Sequence, residues 1–194
     1  MICTFPFYNI DIEKYPALKE YFLSFDIRRL EQTGKKYQVN GEVIKSRKKT
    51  NNKWFETQDC INYADDFSKR KLVYTPVNSE YRFAIVPENV YFPNSLFMIV
   101  GDNIDYLCGL FNSKLYRFYL FMMLSNGEYN YGSSSFFSVL PIRKFENTTK
   151  ISELVFELTN NYSNELYATL NKEIYKIYQL NSDEINYIEN IIKD

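Results

Sequence analysis

Residues 71–100, KLVYTPVNSEYRFAIVPENVYFPNSLFMIV, decide the fold class. Three short runs are set apart by turn residues. Lys71–Thr75 stops at Pro76, Tyr81–Val86 stops at Pro87, and Ser95–Val100 follows Pro93-Asn94 and stops at Gly101. Brief runs of β-branched and aromatic residues between such punctuation read as strands. The expected core is therefore a mixed, mostly antiparallel sheet.

On either side of this stretch the period changes. Asp105–Leu124 returns to helical spacing, with Leu107, Leu110, Phe111, Leu115, Phe118 and Met122 on one stripe. Asp102 or Asp105 is placed to cap it. Upstream, Tyr15–Leu30 reads as a helix with Pro16 in its first turn and Gly34 placed to end it. Residues 34–53 are polar, lysine-rich and without a period, which predicts a loop. Residues 125–138 form a Gly/Ser/Asn/Tyr loop, followed by a short extended stretch over Val139–Ile142.

From Ile151 to Ile177 the three- and four-residue spacing of apolar positions predicts one helix of about seven turns. Asn181 and Glu184 make a capping-box start for a last helix carrying Ile185, Ile188, Ile191 and Ile192. The fold class is thus α+β, a sheet packed by helices with a C-terminal helical segment. Its expected parts are residues 1–145, with the N-terminal helical stretch 15–33 and the basic loop 34–53, and a helical tail over 146–194.

Composition narrows the chemistry. The 194 residues contain no histidine, so Ser-His-Asp and Cys-His nucleophilic sites are excluded, as is any histidine-containing zinc site. Cys3, Cys60 and Cys108 lack CxxC spacing and read as reduced thiols, not a zinc site or disulfide framework. Neither a signal peptide nor a membrane-spanning run is visible, which points to the cytoplasm and to no membrane partner. The net charge of −1 hides an asymmetry: residues 35–71 sum to +5 and residues 146–194 to −5. A basic segment beside a neutral body is suited to a one-sided anionic partner. The 18% aromatic content is expected mainly in the core.

No phosphate-binding glycine loop and no dinucleotide fingerprint occurs. The carboxylates Asp65-Asp66, just before Lys69 and Lys71, carry a weak nuclease reading against that of a solvated turn. Two segments are suited to a polyanion. The basic run Lys45, Arg47, Lys48, Lys49 and Lys53, reinforced by Lys69-Arg70-Lys71, has the chemistry to neutralise phosphates. The loop from Asn126 to Ser135 holds Asn130, Tyr131, Ser133, Ser134 and Ser135, side chains that bond base edges or pack on sugar and base. Each also reads as an ordinary surface loop.

Six blocks then stand in a telling order: Tyr15-Pro-Ala-Leu-Lys-Glu-Tyr-Phe, Trp54-Phe-Glu, Phe67-Ser-Lys-Arg-Lys-Leu-Val-Tyr, Arg82-Phe-Ala, Leu107-Cys-Gly-Leu-Phe-Asn-Ser-Lys-Leu and Leu140-Pro-Ile. Together they resemble the TaqI-like C-terminal specificity domain of adenine-specific DNA methyltransferases and fused type II (type IIG) restriction enzymes. The stretch from Glu173 to Ile185 resembles that family's closing helical segment, with Gln179 where the family often has glycine.

The resemblance implies a DNA target recognition domain with no catalytic residues of its own. S-adenosylmethionine and magnesium would belong to a methyltransferase or nuclease domain or subunit that this sequence does not include. The partner would be double-stranded DNA. The family's Lys-x-Lys block falls on Lys69 and Lys71, which places them and Arg70 near the DNA backbone, with Arg82 in the following block. Two other readings stay open: a protein-interaction module docking through its helical tail, and a carboxylate-metal nuclease using Asp66.

Overall fold

The computed structural model describes residues 2–59, 61–75, 82–125, 140–144 and 148–193. The chain divides into two compact units, Met1–Ala64 and Asp65–Asp194. That division is a different cut from 1–145 and 146–194, because the C-terminal helices share a core with the sheet.

In the first unit, the stretch expected as one helix over Tyr15–Leu30 is two: α1, Pro16–Leu23, and α2, Ile27–Leu30. Pro16 opens α1 where its missing N–H costs nothing. The Ser24 hydroxyl then donates to the Tyr21 carbonyl at 2.6 Å, and Asp26 leaves the helical region to cap α2 by accepting from the Arg28 N–H at 3.0 Å. An aspartate competes better as a cap than in a helix interior, so the apolar stripe runs across a break.

The expected loop over 34–53 is corrected more fully. Strands β1, Lys36–Val39, and β2, Glu42–Lys45, pair antiparallel around Asn40-Gly41. Both turn residues have positive φ, 48° and 89°, the pattern of a two-residue type I′ hairpin. The inner side is fixed by buried Ile44 and by Tyr37, whose hydroxyl donates to the Glu31 carboxylate at 2.5 Å. Below it, buried Gln32 donates to the Lys53 and Glu56 carbonyls at 3.0 and 2.9 Å and accepts from the Thr50 hydroxyl.

The second unit holds a three-stranded antiparallel sheet, β3 (Lys71–Tyr74) between β4 (Phe83–Val86) and β5 (Phe97–Ile99). All three expected strands are present, and both described pairings are antiparallel. All four β3 residues are buried, as suits a central strand. Its described α-helices are α3 (Ile104–Asn112), α4 (Lys114–Ser125), α5 (Thr149–Asn160), α6 (Asn164–Tyr178) and α7 (Ser182–Ile191).

Two long helices expected from the stripe are again divided. Asp105–Leu124 breaks at Ser113, which adopts an extended conformation while its hydroxyl donates to the Leu110 carbonyl at 2.6 Å. The residue before α3 is Asn103, without a side-chain cap bond, so neither Asp102 nor Asp105 is the cap. Ile151–Ile177 breaks before Ser163, whose hydroxyl caps α6 by accepting from the Leu166 N–H at 3.1 Å. The last helix starts as expected, with the full Asn181/Glu184 capping box.

The core is aromatic where sheet meets helix: Phe83 lies 4.9 Å from Phe111, which lies 5.5 Å from Tyr116. A Cβ on Gly109 would come within 2.7 Å of Ile151 and 2.9 Å of Val155, so glycine lets α3 and α5 pack at close range. Residues 140–142 carry no strand, which corrects the extended reading of that stretch as far as it is described. They are tied down by hydroxyls instead: Tyr116 and Tyr178 donate to the Pro141 carbonyl at 2.8 and 3.1 Å. Among the described residues, no helix is long and apolar enough to cross a membrane.

Candidate nucleic-acid interface

Charge divides with the units. Met1–Ala64 holds 11 basic and 8 acidic residues, net +3, and Asp65–Asp194 holds 12 and 16, net −4. The expected phosphate-binding residues therefore sit in two different electrostatic settings.

In the basic unit, Lys45 ends β2 and Arg47, Lys48, Lys49 and Lys53 follow it. Arg47 is half-buried and donates to the Glu56 carbonyl at 2.9 Å, so it braces the fold. Lys48 is ion-paired with Asp59. Lys53 stands 3.9 Å from the Glu56 carboxylate and 5.6 Å above the Phe55 ring. Lys45 and Lys49 are exposed and, among the described residues, have no ion-pair partner.

The Lys69-Arg70-Lys71 block is engaged throughout. Lys69 pairs with Asp66 at 2.7 Å, and that carboxylate holds its ammonium above its ordinary pKa. Arg70 makes a two-pronged contact with Asp105 at 2.5 and 2.6 Å, which likewise raises its pKa. Lys71 corrects the expectation of a backbone-binding lysine. It is 0% exposed and donates to the carbonyls of Phe67, Pro87 and Val90 at 2.9, 3.0 and 3.4 Å. Burial lowers its pKa, and three carbonyls take the place a phosphate would need.

Arg82 is exposed immediately before β4. Asn130, Tyr131, Ser133, Ser134 and Ser135 lie outside the described residues. Asp66 is committed to Lys69, and among the described residues no group of three or more His, Cys, Asp or Glu is arranged to hold a metal ion. Cys3 and Cys108 are free thiols, and burial pushes Cys108 up to about 11.

Sequence reasoning missed Lys36, which the hairpin register sets directly opposite Lys45. The signal was present as Asn40-Gly41 between two alternating runs. It also passed over Arg143 and Lys144, both exposed, on the segment whose backbone is bonded by Tyr106 and Tyr178.

A search of the curated proteins finds no match. A scan against family profiles aligns residues 11–142 with the TaqI-like C-terminal specificity domain. The aligned span begins in the first unit, continues through both sheets and ends with the Leu140-Pro141-Ile142 block, before α5. Covering about two thirds of the chain, it establishes what the ordered blocks pointed to: this chain belongs to the TaqI-like C-terminal specificity domain family, the DNA-target specificity domains of restriction–modification enzymes.

Proposed function

We propose that the chain reads the DNA site on behalf of an adenine-N6 methyltransferase, alone or fused to a nuclease as in type IIG enzymes. The observation that carries this reading is the family match over residues 11–142. The basic unit and its unpaired lysines support it. Methyl transfer, with S-adenosylmethionine, and cleavage, with magnesium, belong to a separate domain or subunit, and this chain contributes recognition alone.

Phosphate contacts are assigned to Lys45 and Lys49 first, with Arg47, Lys48, Lys69, Arg70 and Arg82 able to join only by exchanging or sharing their present contacts. Base contacts are assigned to the segment with Asn130, Tyr131 and Ser133–Ser135. Affinity should come largely from counterion release, and base contacts should supply discrimination.

Fluorescence anisotropy of the full chain on a mixed-sequence duplex tests this. Log affinity should fall linearly with log salt, by about 0.9 per phosphate contact. Binding that ignores salt, or no binding at low salt, would overturn the reading.

A further inference from the structure

The β1–β2 hairpin presents one face that the fold does not use. Strand alternation sends Tyr37 and Ile44 inward and leaves Lys36, Gln38, Val43 and Lys45 on the opposite face. All four are exposed, and Val43 is 60% exposed although it is β-branched and apolar. Lys36 and Lys45 are register partners, as are Gln38 and Val43, so the face is a two-by-two block with two ammonium groups at its base.

Like charges directly opposite each other across an antiparallel pair are destabilising. Among the described residues neither lysine has an acidic partner to offset that repulsion, although Lys48 and Lys53 close by do. A pair of ammonium groups without a counter-charge among the described residues is complementary to an anion outside the chain.

Shape agrees with charge. The type I′ turn at Asn40-Gly41 closes the hairpin in two residues, so it is slender to its tip. Two strands about 4.8 Å apart make an element that enters the major groove, about 12 Å wide. The inner face is held against the rest of its unit by Ile44 and by the Tyr37–Glu31 bond, and the base of the hairpin is tied by the Arg47 N–H, which donates to the Glu31 carbonyl at 3.0 Å. The ribbon is presented as a rigid unit, and ordering it on a ligand costs little.

We propose that the β1–β2 ribbon is a major-groove reading element, in which Lys36 and Lys45 take one phosphate each while Gln38 and Val43 face the base edges. The assignment rests on the DNA reading given above. Glutamine bonds adenine N6 and N7 in a bidentate manner, and an exposed valine packs on a thymine methyl. The ribbon therefore favours an A·T pair under the Gln38–Val43 rung. The assignment brings Lys36, Gln38 and Val43 into the interface.

Salt titrations of the full chain on a mixed-sequence duplex, with the double variant Lys36→Ala/Lys45→Ala, give the test. Two lost phosphate contacts make the slope of log affinity against log salt shallower by about 1.8. Thermal stability should hold or rise, because a repulsive pair is removed. Lys172→Ala, an exposed lysine on α6, should leave the slope unchanged. Gln38→Ala should keep the slope and lose about 5- to 150-fold of preference at one base pair in a selection from randomised duplexes.

A double variant with the parent slope, or a Lys172→Ala slope that falls as far, would overturn the ribbon assignment alone. A Gln38→Ala variant with unchanged base preference would overturn its reading role. A parent chain that binds no duplex would overturn this inference together with the reading beneath it.

Discussion

Lys71 and Gln179 are each placed against their ordinary preference. A buried ammonium is tolerated only when its hydrogen bonds are satisfied, and three carbonyls satisfy this one. Lys71→Met leaves those acceptors unpaired and should cost about 1–3 kcal/mol of stability. The salt slope of duplex binding should not move, whereas a lysine on a phosphate would take about 0.9 from it. Calorimetry and anisotropy on the same variant separate the two roles. Gln179 occupies the left-handed C-cap of α6, with φ 57°, a backbone conformation that favours glycine. The cap bonds form all the same: the Leu180 N–H donates to the Tyr175 carbonyl at 3.1 Å. Gln179→Gly should raise stability by up to about 1 kcal/mol, measured by denaturant midpoint at unchanged slope. The resemblance over Glu173–Ile185 singled out Gln179, but nothing in the residue types showed the burial of Lys71. A lysine in a basic run reads as solvated until the turns around Phe67 and Pro87–Val90 wrap it.

At the scale of elements, α5 and α6 are held by core packing, closest at Gly109, and by the ion pairs of Glu173. Gly109 admits α5 so closely that Gly109→Ala must push Ile151 and Val155 aside, at about 1–3 kcal/mol. Glu173 on α6 joins Lys150 of α5 at 2.8 Å and Lys176 at 2.9 Å, and these bonds hold its carboxyl below the ordinary value. Its contribution is therefore complete above the ordinary glutamate pKa and lost as pH falls through the lower folded value. Both lysines are largely exposed, so Glu173→Gln should cost about 1 kcal/mol or less at neutral pH. The variant and parent should converge in acid, which parallel melts across pH would read. Element types were legible in the sequence more often than element ends. Periodicity located the described α-helical regions but not the short 3-10 turns such as Ala64–Ser68, and it cannot see a break across which the stripe resumes. Breaks at Asp26, Ser113 and Ser163 were each written as a polar side chain able to satisfy the backbone locally. The hairpin at Asn40-Gly41 was hidden by the lysines that make its outer face useful.

For the whole molecule, charge and packing are organised differently. The units differ in sign, +3 against −4, which a net charge of −1 conceals. The C-terminal helices contribute Ile151, Leu154, Leu170 and Ile174 to the core of the second unit. A chain cut after Phe145 should thus lose cooperative unfolding of that unit, seen as a missing transition in calorimetry. Such a deletion cannot isolate a docking function for the tail. The family and the region of positive charge were readable from ordered blocks and segment sums. Which cations remain available was not, since pairing such as Arg70 with Asp105 joins residues far apart in sequence.

On the proposed function, this chain carries sequence recognition by itself. The most direct test is selection by the full chain from a pool of randomised duplexes, with the bound fraction sequenced. One short motif should be enriched, each mismatch costing about 1–3 kcal/mol. A bound fraction with the composition of the starting pool, at a salt concentration where binding is measurable, would contradict it.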